Sequence, residues 1–358
     1  MTFIVDLQKL VECESPTEDL KACTQVVELA ATIAARVLGT PAQIKQEGGR
    51  PVFWWGAEKP RVVLLAHLDT VWPHGSFTPT WSVTGDKASG PGVFDMKAGF
   101  LQAVYALAEV PSAEQSVAII ATTDEEVGSQ TSRALIEKIS QSAEAVLVLE
   151  ASLAGKVKTG RKGTAMYRIS VTGRAAHAGL EPEKGINATT EIARLVSQIA
   201  ALENSEFGTT VVPTTMQSGT TTNTVPALAT LDIDIRSYSK AELARVDSAI
   251  RALSPSHSEA KIEIVGGINR PPLEPTSTMA LYEKLEKVAA EIGMKPIGHA
   301  SVGGASDGNF AAAAGAQVLD GLGAVGDGAH APHEHILISS IPERITLLTA
   351  FIKELIRE

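Results

Sequence analysis

The sequence predicts an α/β fold into which a small βαββαβ unit is inserted, and three observations predict it. Up to Glu150, apolar runs of strand length alternate with helical runs, the signal of a layered α/β structure. Between residues 164 and 265 the order changes to strand, helix, two strands, helix and strand, which is that of a ferredoxin-like unit. After Pro271-Pro272-Leu273-Glu274-Pro275 helix and strand signals resume.

Residues 3–39 carry helical apolar spacing, broken at Ser15-Pro16-Thr17-Glu18, which also starts a second helix. Arg61-Val62-Val63-Leu64-Leu65-Ala66 reads as a strand running into His67-Leu68-Asp69-Thr70. Gly90-Pro91-Gly92-Val93-Phe94 permits a tight turn that presents Asp95 ahead of a helix-forming run from Met96 to Glu109. Strand-like Ser116–Ala121 enters Thr122-Thr123-Asp124-Glu125-Glu126-Val127-Gly128-Ser129, and Ala145–Leu149 ends in Glu150. In the insertion, strands are expected at 164–172, 209–217, 226–236 and 260–265, with helices at 185–203 and 240–253. Beyond it, Gly326-Asp327-Gly328-Ala329-His330-Ala331-Pro332 puts a histidine in a glycine-rich loop. No internal repeat, low-complexity tract or long linker interrupts the pattern.

The adjacent carboxylates Glu125 and Glu126 are the most informative pair, because neighbouring strand-end residues point to different sides. One can ligate a metal while the other holds a water; the alternative is a solvated acidic turn. In a strand His67 and Asp69 share a face, so Asp69 can orient the His67 imidazole. In an open α/β sheet, ligands bind beyond the carboxyl ends of the strands, so these loops can converge. Imidazole and carboxylate suit zinc, and five such ligands with one bridging carboxylate leave each of two ions an open position.

His67-x-Asp69, Gly92-x-x-Asp95, Asp124-Glu125-Glu126, Glu150 and His330, in that order, resemble the co-catalytic zinc peptidase family that contains glutamate carboxypeptidase, aminoacylase and acetylornithine deacetylase. The resemblance covers nearly the whole chain. It implies a catalytic domain with a mixed sheet flanked by helices and an inserted lid and dimerisation domain. It implies two Zn2+ per subunit, with Co2+ or Mn2+ able to occupy similar sites. Asp95 would bridge the metals, His67 and Glu150 would complete one site, and Glu126 and His330 the other. Glu125 would be the general base for a water between the ions, and Asp69 would orient His67. Ligands on both sides of the insertion make the catalytic domain discontinuous, 1–160 with 274–358 around 161–273.

Ala176-His177-Ala178-Gly179 with Pro182, Gly185 and Asn187-Ala188 matches the family's lid motif. The resemblance implies that His177 stabilises the oxyanion of the tetrahedral intermediate, often in the other subunit's site; a solvated loop histidine is the alternative. Asn223, Arg236 and Arg270 match polar positions of the glutamate carboxypeptidase branch. An arginine fork suits a substrate carboxylate, and the alternative for either arginine is an ion pair. Gly304, within Gly303-Gly304-Ala305-Ser306-Asp307-Gly308, resembles the family's substrate loop. That loop lacks the Lys-Ser/Thr of a P-loop and the glycine spacing of a dinucleotide fingerprint. His333 and His335 are expected behind the ligands or at the surface, and His74 is a candidate for lining the cleft. His257 and His299 have no supporting pattern.

The expected activity is metal-dependent hydrolysis of the amide bond of a C-terminal amino acid, glutamate carboxypeptidase-like. The alternatives are an N-acyl amino acid deacylase and a catalytically silent homologue that binds amino-acid conjugates; a binuclear phosphoesterase is disfavoured for want of a phosphate-binding motif. The expected partner molecule is a small peptide or N-acyl amino acid with a free carboxylate, and the expected assembly a homodimer.

Bulk properties agree. With 31 basic and 41 acidic residues the formal charge is -10, which argues against a nucleic-acid surface. With only 4% aromatic residues, aliphatic side chains must fill the core. Cys13 and Cys23 are expected to be reduced thiols. The opening Met1–Asp6 lacks the basic region of a signal peptide, and no apolar run approaches the roughly 20 residues of a membrane span, so the cytoplasm is the default compartment.

Overall fold

The structure is a computed structural model that describes residues 2–357. Two compact units emerge: one runs to Gly160 and resumes over Leu273–Val302 and from Ser306, the other comprises Arg161–Pro272 and Gly303–Ala305.

The first unit is built on a six-stranded mixed sheet in the order Gln43–Glu47, Arg50–Gly56, Val117–Thr122, Val62–His67, Ala145–Val148 and Val318–Leu319. The first two pairings are antiparallel and the rest parallel. Both faces are covered, so the central strands read as continuous apolar runs and successive side chains enter different cores. Val62, Leu64 and Ala66 join a core with Val26, Phe100 and Phe351 of the helices Leu20–Leu38, Ala98–Ala108 and Ile341–Ile356. Val63 and Leu65 join another with Ile136 and Phe310 of Arg133–Ser140 and Gly308–Ala313. Burying a side chain of this size contributes about 1.5–3 kcal/mol. Asp19 caps the helix Leu20–Leu38 by accepting from the Lys21 and Ala22 N–H groups, and Gly39 ends it at φ 77°.

The second unit has the strand order Thr210–Ser218, Leu228–Ser237, Gly163–Thr172, Lys261–Arg270, all antiparallel. Ala165, Tyr167, Ile169 and Val171 alternate onto one face and pack with Ile192, Leu195, Leu243 and Val246 of the helices Ala188–Ala200 and Lys240–Arg251. The element order is the βαββαβ read from the pattern.

Several boundaries differ from expectation, three of them for a visible physical reason. The helix after Asp95 begins at Ala98, because Val93–Lys97 forms a wider turn in which Asp95 and Met96 leave helical φ and ψ. The helix expected at 185–203 spans Ala188–Ala200, since Gly185 is extended and Asn187 supplies the cap. The last strand reaches Arg270 because it pairs along the length of Gly163–Thr172; Gly266 and Gly267 hide this in the pattern. A small sheet was also missed: Gly326–Asp327 and His335–Leu337 pair around the His330 loop, and the latter pairs with Lys87–Ser89. Among the described residues, no helix is long and apolar enough to cross a membrane. Cys13 and Cys23 are both free thiols.

Candidate metal centre

Parallel register carries the strand-end residues to one edge. His67 stands opposite Thr122, and Leu65 opposite Val148. Glu126 and Glu150 therefore leave the sheet beside His67. Glu125 and Glu126 open a single 3₁₀ turn, Glu125–Val127, so this turn rather than strand alternation directs the two side chains. His330 holds φ 62°, a left-handed conformation uncommon outside glycine and often found where function over-determines the backbone.

All five expected ligands belong to the first unit, and their donor atoms converge. Asp95 Oδ1 lies 3.3 Å from His67 Nε2, while Asp95 Oδ2 lies 3.3 Å from His330 Nε2. His67 Nε2 is also 3.8 Å from Glu150 Oε1, and His330 Nε2 is 3.1 Å from Glu126 Oε2. One carboxylate thus faces two histidines, each with a second carboxylate beside it. Ligand atoms of His67, Asp95 and Glu126 also lie within 4.8 Å of one another, so the two groups are contiguous.

These separations fit a metal. Donors placed tetrahedrally at roughly 2.0–2.1 Å from zinc are about 3.3–3.4 Å apart, and three of the four measured gaps lie near that value. The electrostatics agree. Burial opposes charge on Asp95, yet His330 and His67 hold its carboxyl well below the usual range. Hydrogen bonding to Asp95 and Glu126 pushes His330 up to about 10. Burial disfavours a charged His67, but Asp69 and Asp95 raise it well above its ordinary value. Burial raises Glu126. The carboxylates therefore supply a field that stabilises positive charge at the two imidazoles.

Asp69 meets His67 Nδ1 through two of its oxygens. The strand ends at His67, and the closer partner of His67 Nδ1 is the Asp69 backbone oxygen at 3.0 Å; the carboxylate Oδ1 stands at 3.4 Å. Asp69 Oδ2 accepts from Thr17 Oγ1 at 2.8 Å and from the Glu126 N–H at 3.2 Å, joining the His67 end to the Glu126 turn. Arg50 Nη1 donates to the Thr17 and Thr123 oxygens, both at 2.8 Å, and braces the same region. Asp124 accepts from Thr131 and Ser132 and shapes the loop. Sequence reasoning missed Thr17, Arg50, the buried Lys97 and the buried Glu334. Glu334 lies four residues after His330, but a carboxylate among loop histidines cannot be told from a solvated charge by sequence. His335 is a strand residue whose Nδ1 lies 2.8 Å from the His333 oxygen. His74 sits at the surface, 3.2 Å from Asp19, and His299 lies 2.7 Å from Thr159 Oγ1.

The remaining candidates belong to the second unit. His177 is exposed, and its Nδ1 accepts from the Gly179 and Leu180 N–H groups at 3.1 Å each. That leaves Nε2 to carry the proton as a donor. Asn223 adjoins it, its backbone oxygen accepting from the Ala178 N–H at 2.9 Å. Arg236 and Arg270 both stand opposite Thr164, on the strands to either side. Arg236 forks onto Asp234 at 2.9 and 3.3 Å, the ion pair weighed as its alternative role. Arg270 is 5% exposed. The Gly304 oxygen accepts from Nη1 of the buried Arg161 at 3.2 Å.

A mixed α/β sheet whose strand ends assemble histidines around a shared carboxylate defines the class of metal-dependent hydrolases. The chain belongs to peptidase family M20/M25/M40, whose model matches residues 63–354. It is 30% identical to carboxypeptidase G2 of Pseudomonas sp. (strain RS-16), over 98% of this chain and 89% of that protein. It is 26% identical to the succinyl-diaminopimelate desuccinylase of Delftia acidovorans (strain DSM 14801 / SPH-1), over 85% of this chain and 83% of that one. The crystal structure of aminopeptidase PepT from Bacillus cereus ATCC 10987 superposes with a TM-score of 0.76 at 22% identity, over 99% and 98% of the two chains, and supports the fold alone. The protein is thus a hydrolase of a metal-dependent peptidase family.

Proposed function

We propose that this protein releases the C-terminal amino acid from a small peptide or N-acyl amino acid bearing a free carboxylate, as a glutamate carboxypeptidase does. The observation that carries the hydrolytic reading is Asp95, whose two oxygens face two different histidines. His67, Asp95 and Glu150 would hold one zinc ion, and His330, Asp95 and Glu126 the other. Bound zinc supplies Lewis acidity, lowering the pKa of water and polarising a carbonyl.

Glu125 takes the proton of the attacking water and returns it to the departing nitrogen as the C–O bond forms and the C–N bond breaks. The His177 Nε2–H is free of the loop contacts that occupy Nδ1 and is suited to donate to the developing oxyanion. Asn223 supports the same loop, Arg270 pairs with the substrate carboxylate, and Gly304 contacts the substrate through its backbone. Arg236 is paired with Asp234, which competes with a substrate carboxylate for its fork.

A homodimer belongs to this reading. Thr164, flanked by both arginines, and Thr172, ahead of His177, are eight residues apart on one extended strand, roughly 26 Å. His177 and the arginines of one chain are too far apart to grip one small substrate, which favours His177 serving the partner subunit's site.

Carboxypeptidase G2 among the relatives supports an amino-acid leaving group. The desuccinylase relatives favour a second reading, an N-acyl amino acid deacylase with a smaller acyl pocket. The test is amino-acid release from a panel of peptidyl and N-acyl amino acids by zinc-reconstituted and chelated protein. Metal-dependent release supports the hydrolase, and the preferred substrate separates the two readings. No release by protein shown to hold two ions would move weight to a silent binder.

A further inference from the structure

Glu334 has no part in the proposed reaction, yet its carboxylate is completely buried. A buried carboxylate persists only where donors replace water, and here four do. Oε1 accepts from the Phe94 and Asp95 N–H groups at 3.0 and 3.1 Å. Oε2 accepts from the Gly92 N–H at 3.2 Å and from Trp72 Nε1 at 2.9 Å. The turn ahead of Asp95 thus folds its N–H groups around one anion, a cradle of the kind formed by successive backbone amides. Gly92 permits this at φ 69°, where a Cβ would come within 2.4 Å of Thr70 Cγ2. Buried Lys97, its Nζ on the Cys13 oxygen at 3.0 Å, supplies an opposite charge nearby.

The contacts join three loops. Trp72 follows His67, the turn carries Asp95, and Glu334 follows His330. We propose that Glu334 is the positioning residue of the metal centre, setting the Asp95 turn in register with the loops that carry His67 and His330. The inference rests on the two-metal reading. The two Asp95 oxygens can face different histidines only while the turn is held at one angle, and the Asp95 N–H is itself one of the four donors.

The test is zinc binding by the full chain in competition with a chromophoric chelator. Glu334→Gln preserves shape but turns one acceptor oxygen into an NH2 that faces N–H donors, so zinc affinity is expected to fall ~10–100-fold. Trp72→Phe removes one donor and should lower the affinity less. The visible spectrum of the cobalt-loaded protein should change in both, a readout that a role in folding alone would not move. If the parent binds zinc and both variants match its affinity and cobalt spectrum, the proposal is overturned. If Glu334→Gln does not fold, Trp72→Phe decides by the same criterion. A parent that binds no zinc overturns the two-metal reading and this inference with it.

Discussion

Gly99→Ala tests whether the helix behind Asp95 is pinned by backbone contact. Gly99 lies in the first turn of Ala98–Ala108, where propensity alone favours alanine by about 1 kcal/mol. The packing opposes it. A Cβ at this position would lie 2.0 Å from the Leu149 oxygen, 3.1 Å from its carbonyl carbon and 3.2 Å from Gly323 Cα. All three are backbone atoms, so no side chain can swing away. Ordinary contact begins near 3.4 Å, and the helix must retreat by about 1.4 Å. Overpacking of this kind costs about 1–3 kcal/mol, and this gap is at the severe end. After the propensity gain, a net loss of about 2 kcal/mol is expected, or ~4–8 °C in thermal midpoint for a unit of this size. Leu149 precedes Glu150, so zinc affinity should fall with stability. The assay is a thermal melt of chelated protein alongside zinc titration. An unchanged or raised midpoint would refute the packing argument, because propensity would then have won.

Glu125→Gln should retain zinc while lowering kcat by ~10²–10⁴-fold, since it removes the proton acceptor with little change in shape; near-parental turnover in metal-loaded protein would reject Glu125 as base. Asp95→Ala should lose both ions together, and metal analysis finding one ion per chain would show that Asp95 serves a single site. Arg270→Ala should raise KM for substrates with a free carboxylate, and an equal loss on carboxylate-blocked analogues would sink that role. Burial, aided by Asp69, pushes the Cys23 thiol up to about 12. Alkylation of Cys23 at pH 8 should therefore require unfolding, and labelling of the native protein would contradict the packing around it.

The expected ligands were legible as candidates because each ends or follows a strand or sits in a turn that contains or adjoins glycine. Strand periodicity marks where a side chain leaves the sheet, and His67, Glu126 and Glu150 all follow apolar runs. Asp69 was only half legible: its place in sequence suggested a partner for His67, but the closer contact is made by its backbone oxygen. The pairing of Arg236 with Asp234 shows the same limit, since a strand pattern cannot decide whether an arginine turns toward a neighbour or a ligand.

The sequence by itself determined the α/β layering, the βαββαβ order and the chemical types at the centre. These follow from local periodicity and from which side chains can carry a proton or a cation. Only the tertiary structure decided that Asp95 faces two histidines, that Thr17 and Arg50 brace the His67 end, and that Glu334 holds the Asp95 turn. Those contacts join residues tens to hundreds of positions apart. Their geometry comes from strand register and buried hydrogen bonds, neither of which leaves a periodic trace in the chain.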